Sequence, residues 1–276
     1  MPPLNPFPRR AFHDFVMQGL FAYLLDTGAG WVRDARLAFG FLTRIPVGSA
    51  TDPRPLAEAA RAFPLVGLGV GFVAGATLWA GAELAWPPLL SALLALAALA
   101  WITGALHEDG LADTADGLGR RGGAEEMLAA LRDSRIGTYG TLALLFSIGI
   151  RAAALSGMRG DLEAVFAVAA ACVLSRAALP AVMAIHPPAR NDGLAHAAGR
   201  PDFDGVATAG ALGVLLVLLL VGFEAGLIAA AAAATAALGA AGYAARRLGG
   251  ITGDVIGAAE QAAQTAALLV LAWALQ

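Results

Sequence analysis

The sequence predicts an all-α polytopic membrane protein: a bundle of about seven transmembrane helices preceded by an N-terminal amphipathic helix. Three observations carry that prediction. Of 276 residues, 58% are hydrophobic and only 14% charged, against about 25% charged in a soluble domain. Apolar runs of the length needed to cross a bilayer, about 20 residues, recur along the chain. The cationic residues, all Arg, fall almost entirely on one set of alternating loops.

The elements follow in chain order. Residues 1–36 form an extension in which Asp14 and Asp26 interrupt the apolar stretch, and no small-residue cleavage site follows. It reads as a retained amphipathic helix at the membrane surface rather than a signal peptide. The predicted spans are 63–82, 88–106, 139–157, 163–185, 206–222, 225–244 and 255–275, with 11–30 a weaker eighth candidate. Glycines in "FPLVGLGVGFVAG" allow close helix packing. The whole chain, 1–276, reads as one integral membrane domain.

Alternation of seven spans, with the N-terminal segment cytoplasmic, puts 1–62, 107–138, 186–205 and 245–254 on the cytoplasmic side. Those segments hold 15 of the 18 Arg residues, the bias expected of cytoplasmic loops. The opposite connections ("AWPP", "GMRGDL", "GFEAG") are too short to hold a site, so the chemistry is expected to face the cytoplasm. Net charge is −3, which gives no basic field for nucleic acid. The single Cys172 excludes an internal disulfide and a multi-Cys zinc site.

Against this background "HEDGLADTADG" (His107 to Gly117) is anomalous. Asp109, Asp113 and Asp116 are spaced i, i+4, i+7, which places them on one helical face. Like charges so placed repel, and acids near a bilayer core point to function. A hard divalent cation relieves the repulsion, and Mg²⁺ suits carboxylates together with substrate phosphates. A solvated acidic helix start is the bland alternative. About ten residues on, "EEMLAALRDSRIGTYG" predicts a short amphipathic helix ending in Asp133-Ser134-Arg135. Asp133 is a candidate fourth carboxylate, Arg135 a candidate bidentate phosphate ligand, and Ser134 a substrate-binding candidate beside them. Glu125 and Glu126 read as solvated helix-start acids.

Helix-borne aspartates of this kind resemble those of the CDP-alcohol phosphotransferases. That family's D-G-x2-A-R pattern is not kept, because Asp113 stands where the Arg would soon follow. A closer resemblance rests on a set of motifs in order: "FLTRIP", "FPLVGL", "HEDGLADTADGLG", "MLAALRDSRIGTYG" and "GGITGDVIGAAEQ". This set resembles the cobalamin synthase family, the adenosylcobinamide-GDP ribazoletransferases, from about residue 37 to the C-terminus. Glu108 departs from that family's apolar residue.

The resemblance implies a Mg²⁺-dependent membrane phosphotransferase of the bacterial inner membrane. Adenosylcobinamide-GDP would meet α-ribazole or its 5′-phosphate, and GMP would leave. The metal would be held by Asp109, Asp113, Asp116 and Asp133, with Asp113, Asp116 or His107 available for proton transfer. Thr43, Arg44, Arg190, Thr252 and Asp254 are further substrate-binding candidates, with Asp254 also a possible helix N-cap. Glu260, inside a span, could instead form a structural ion pair with Arg176 or Arg151. A CDP-alcohol-type lipid enzyme and a cation-coupled transporter are the rival readings, and small-residue faces also leave a homo-oligomer open.

Overall fold

The computed structural model describes residues 28–48, 52–133 and 135–275. Most of the segment expected to form an N-terminal amphipathic helix, and Ser134, lie outside the described residues. The described chain starts in a helix, α1 (28–42), followed by a 3-10 segment, Leu56–Ala62. Then come α2 (Phe63–Glu83), α3 (Pro88–Thr103), α4 (Leu106–Gly119) and α5 (Ala124–Ala130). They are followed by α6 (Thr138–Ser156), α7 (Leu162–Ile185), α8 (Leu194–Ala198), α9 (Phe203–Val221), α10 (Phe223–Leu248) and α11 (Gly253–Ala274). Among the described residues there is no strand, only one parallel bridge between Pro188 and Ile251.

Six helices are long and apolar enough to span a membrane, and α3 with α4 forms a bent pair that makes up to seven. The protein is an all-α polytopic membrane bundle. The second expected span, 88–106, differs from the others because α3 stops short. Gly104 (φ +68°) and Ala105 (φ +56°) turn left-handed, and α4 departs at 92° to α3. Left-handed backbone costs a residue such as Ala105 about 1–2 kcal/mol, so neighbouring packing must hold the break. The Arg44 N–H does part of this by donating to the Ile102 carbonyl (2.7 Å). We read α4 as lying outside the spans, at the end of the bundle.

The bundle centres on α7, which is buried through most of its length. Its closest partner is α2, whose Gly67, Gly71 and Gly75 face the backbone of Cys172, Ala169 and Val165. A Cβ at Gly71 would lie 2.6 Å from the Ala169 Cα, so glycine at this spacing is what lets the two helices touch. The outer faces stay apolar, with Leu219 75% and Trp273 71% exposed. Apolar exposure on this scale marks a contact surface, in keeping with helices long and apolar enough to cross a membrane.

The extension expected over residues 1–36 enters the described residues only at its end. Helix α1 runs through that end, and buried Asp34 bridges Arg54 (2.7 Å) and Arg61 (2.7 Å). The end of the extension is therefore pinned to the 3-10 segment.

Candidate active site

Helix α4 presents two chemically different faces. The inner face packs on α11 almost backbone to backbone: a Cβ at Gly110 would lie 2.7 Å from the Asp254 carbonyl oxygen. The outer face carries Asp109, exposed, and Asp113 and Asp116, both partly buried. The i, i+4, i+7 spacing thus does what helical geometry requires of it.

Asp116 has a defined job. Its carboxylate accepts the backbone N–H groups of Gly137 (2.6 Å) and Gly140 (2.9 Å) at the start of α6. Those amides are unsatisfied at any helix N-terminus and favour an anion. A Cβ at either glycine would collide with the carboxylate. The glycines of "RIGTYG" therefore make room for Asp116 rather than for a substrate anion at this point.

Asp133 is engaged locally. Arg135 binds it through Nε (2.9 Å) and Nη2 (2.8 Å), and this bond holds the carboxyl down at about 2. Nearby, Arg132 grips Asp192 with both contacts from Nη2 (2.9 and 2.7 Å), tying the α5–α6 loop to the loop after α7.

Asp109 and Asp113 have no ion-pair or hydrogen-bond partner among the described residues. Burial first, then the charges of Asp109, Asp254 and Asp116, push the Asp113 carboxyl up to about 6. Asp254, at the start of α11, is thus near enough to act on Asp113 electrostatically. Thr252 is the residue that caps α11, accepting the Val255 N–H (3.3 Å), and its hydroxyl donates to Asp254 (3.1 Å). The possible N-cap role of Asp254 belongs to Thr252 instead. Arg190 stands near enough to act on Asp254 electrostatically, and its buried Nη1 has no partner. The bridge between Pro188 and Ile251, with Ala189 N–H on the Ile251 carbonyl (2.8 Å), holds the two loops together.

The remaining candidates are placed as follows. The Thr43 hydroxyl donates to the Phe39 carbonyl (2.6 Å) and accepts from the Ile45 N–H (3.2 Å), so it ends α1. The Arg44 side chain lies over Gly104 at the α3–α4 break. His107, 3% exposed, sits on the inner face with Nδ1 3.6 Å from Glu260. Glu260 in turn forms an ion pair with Arg176 and accepts from Gln261 (2.9 Å). Arg151 binds Gln264 (2.7 Å) and lies 3.6 Å from Glu108. The structural pairing expected for Glu260 is present with Arg176. The roles of Glu108, Gln261 and Gln264 were missed, although the polar residues in "AAEQAAQ" of an otherwise apolar helix were a usable signal.

The donors at Asp109, Asp113 and Asp254 are hard carboxylate oxygens, the chemistry Mg²⁺ prefers. Among the described residues no three His, Cys, Asp or Glu side chains stand close enough to hold a metal by themselves. Mg²⁺ commonly uses one or two carboxylates and completes its shell with water and substrate phosphate. The residues therefore fit a cation that arrives with a phosphorylated substrate.

Fold and site together define a polytopic membrane enzyme with an unneutralised carboxylate face at the end of its bundle. Residues 34–272 match the family described as cobalamin-5-phosphate synthase, and the chain belongs to that family. It is 44% identical over 243 residues to an adenosylcobinamide-GDP ribazoletransferase of Bradyrhizobium diazoefficiens, covering 87% of this chain and 94% of the relative. The protein of the same name from Rhizobium etli (strain CIAT 652) is 44% identical over 253 residues, covering 88% and 97%. That from Brucella canis is 39% identical over 259 residues, covering 89% and 98%. No solved structure matches the chain. The chain is a transferase of cobalamin synthesis, which excludes the transporter reading.

Proposed function

We propose that the chain joins adenosylcobinamide-GDP to α-ribazole or its 5′-phosphate, releasing GMP, at the cytoplasmic face of the bacterial inner membrane. The observation that carries this reading is the pair Asp109 and Asp113, left without a cationic partner opposite Asp254, in a chain whose relatives carry that activity in their names. A partly buried like-charge cluster is costly unless a ligand neutralises it.

Asp109 and Asp113, with Asp254 across from them, would hold Mg²⁺ against the donor's pyrophosphate. The cation would supply charge neutralisation for the phosphoryl oxygens and the departing GMP. Asp116 keeps the start of α6 docked on α4, and the loop bearing Asp133 and Arg135 leads directly into that start. Arg190, whose buried Nη1 has no hydrogen-bond partner, would meet a phosphate oxygen. A ribazole hydroxyl oxygen bonds to the phosphorus on the cobinamide arm as the bond from that phosphorus to the GMP oxygen breaks. The hydroxyl proton passes to a carboxylate of this cluster that the cation leaves uncommitted. A loose phosphoryl transition state asks little of that base.

The test is a nucleotide-release assay on the purified full chain with Mg²⁺ and α-ribazole. Release of GMP from adenosylcobinamide-GDP is expected. Release of CMP from a CDP-alcohol, with none of GMP, would replace this reading with the lipid-enzyme one. For the orientation, Arg121→Cys, at an exposed position just after α4, in the Cys172→Ala background should label only from the cytoplasmic side.

A further inference from the structure

Behind the first turn of α4 lies a second cavity, distinct from the acid face. Its walls include Leu42, Leu56, Leu106, Met183 and Ile256, and its one side chain with titratable atoms is His107. It carries no Asp, Glu or Arg, so a phosphate or a free cation has no partner there. His107 is 3% exposed, and neither ring nitrogen has a hydrogen-bond partner. The 3.6 Å separation from Glu260 is too long to commit Nδ1. A neutral imidazole has one donor and one acceptor to offer, and leaving both unmet when the ring is buried carries a desolvation penalty. A ligand with apolar faces and one polar edge would recover that cost.

Position supports the same reading. His107 is two residues from Asp109 on α4, and Gly253 and Gly257 of α11 line the cavity on either side of the Asp254 turn. A molecule seated here would reach the acid face with whatever it carries at its outer end. As it stands the cavity holds about 40 Å³, room for about three waters at roughly 10–15 Å³ each. A larger occupant needs a wall that yields. Helix α8 is that wall: five residues between Gly193 (φ +83°) and Gly199 (φ +78°), contributing Leu194 and Ala198, with Leu194 43% exposed at the mouth.

We propose that this cavity takes the flat aromatic base of the acceptor nucleoside, with α8 moving outward and His107 meeting the base's polar edge. The ribose hydroxyl would then project toward Asp109 and Asp113. This inference rests on the ribazoletransferase reading and adds the acceptor's binding site to it.

Steady-state kinetics of Leu194→Trp and Ala198→Leu test it. Each fills the cavity and should raise the acceptor KM tenfold or more, leaving donor KM and kcat within twofold. Should either variant fail to accumulate, the wild-type protein carries the test: free benzimidazole should inhibit competitively against the acceptor and not against the donor. An unchanged acceptor KM in folded variants overturns the proposal. So does inhibition competitive with the donor, which would make the donor the occupant. If the wild-type protein releases no GMP from the donor at all, the underlying reaction fails instead, and the two failures are told apart by that control.

Discussion

Helix α4 carries acids on two sides, and the structure treats them in opposite ways. Glu108 and His107 turn inward, where Glu108 meets Arg151 and Gln261, and His107 faces the Glu260–Arg176 pair. Asp109 and Asp113 turn outward and meet only other carboxylates. The inner set is neutral in sum, two Arg against two Glu, and is cross-linked by hydrogen bonds from Gln261 and to Gln264. The outer set is left charged. The inner acids therefore hold helices together, whereas the outer ones repel one another with no cationic partner among the described residues.

The largest test of that contrast is to break the inner set. Arg176→Ala leaves Glu260 charged and unpaired at 0% exposure. Losing one partner of a buried pair costs about 3–5 kcal/mol. The protein should fail to accumulate or lose roughly 6–20 °C in Tm, at about 2–4 °C per kcal/mol. A Tm within a few degrees of wild type would remove the structural role.

Next comes the outer set. Asp113→Asn should cut transferase activity by about 100-fold or more, as removal of a transition-state electrostatic group does. Stability should move the other way. With a folded-state pKa near 6 and an ordinary value of 3.8, the folded protein binds more protons than the unfolded chain in between. The Asp113 carboxylate therefore costs stability above pH 6, and the cost fades as pH falls from 6 toward 4. For a partly exposed group the screened cost is about 1 kcal/mol. Metal-free Asp113→Asn should melt slightly above wild type at pH 7.5 and level with it at pH 4.5. Full activity together with a lowered Tm would contradict the assignment of Asp113 to the functional face.

A smaller effect is expected at the junction. Gly137→Ala pushes a methyl into the Asp116 carboxylate and should cost about 1 kcal/mol through the lost helix cap, with activity down about tenfold. Loss of stability without loss of activity would mean that Asp116 only docks α6. Smallest is the exposed Arg132–Asp192 pair, 57% and 66% exposed. Surface pairs contribute about 0–1 kcal/mol, so Arg132→Ala should leave Tm within about 2 °C in a thermal-unfolding assay.

Much of the outer set could be read in the chain alone. A helix fixes which residues share a face, so Asp109, Asp113 and Asp116 had to line up once 106–119 was helical. The motif set likewise points to the family to which the chain belongs. Of the inner set only the Glu260–Arg176 pairing could be read, from charges lying inside spans. Arg151 and Gln264 meet across 113 residues, and Glu108 and Gln261 across 153. Such pairings depend on which helices become neighbours, and in a chain rich in Ala, Gly and Leu many faces can pack equally well.

Fold class, span number to within the α3–α4 bend, the enzyme family and the acid face are matters of local order. Hydrophobic length and helical period settle them wherever the helices finally lie. The 92° turn of α4, the capture of Asp116 by α6, the approach of Asp254 and the burial of His107 belong to the tertiary structure. Each depends on the distance between groups far apart in the chain. Charge interaction falls with that distance and grows with burial, so only packing decides which carboxylates are paired and which are left for a substrate.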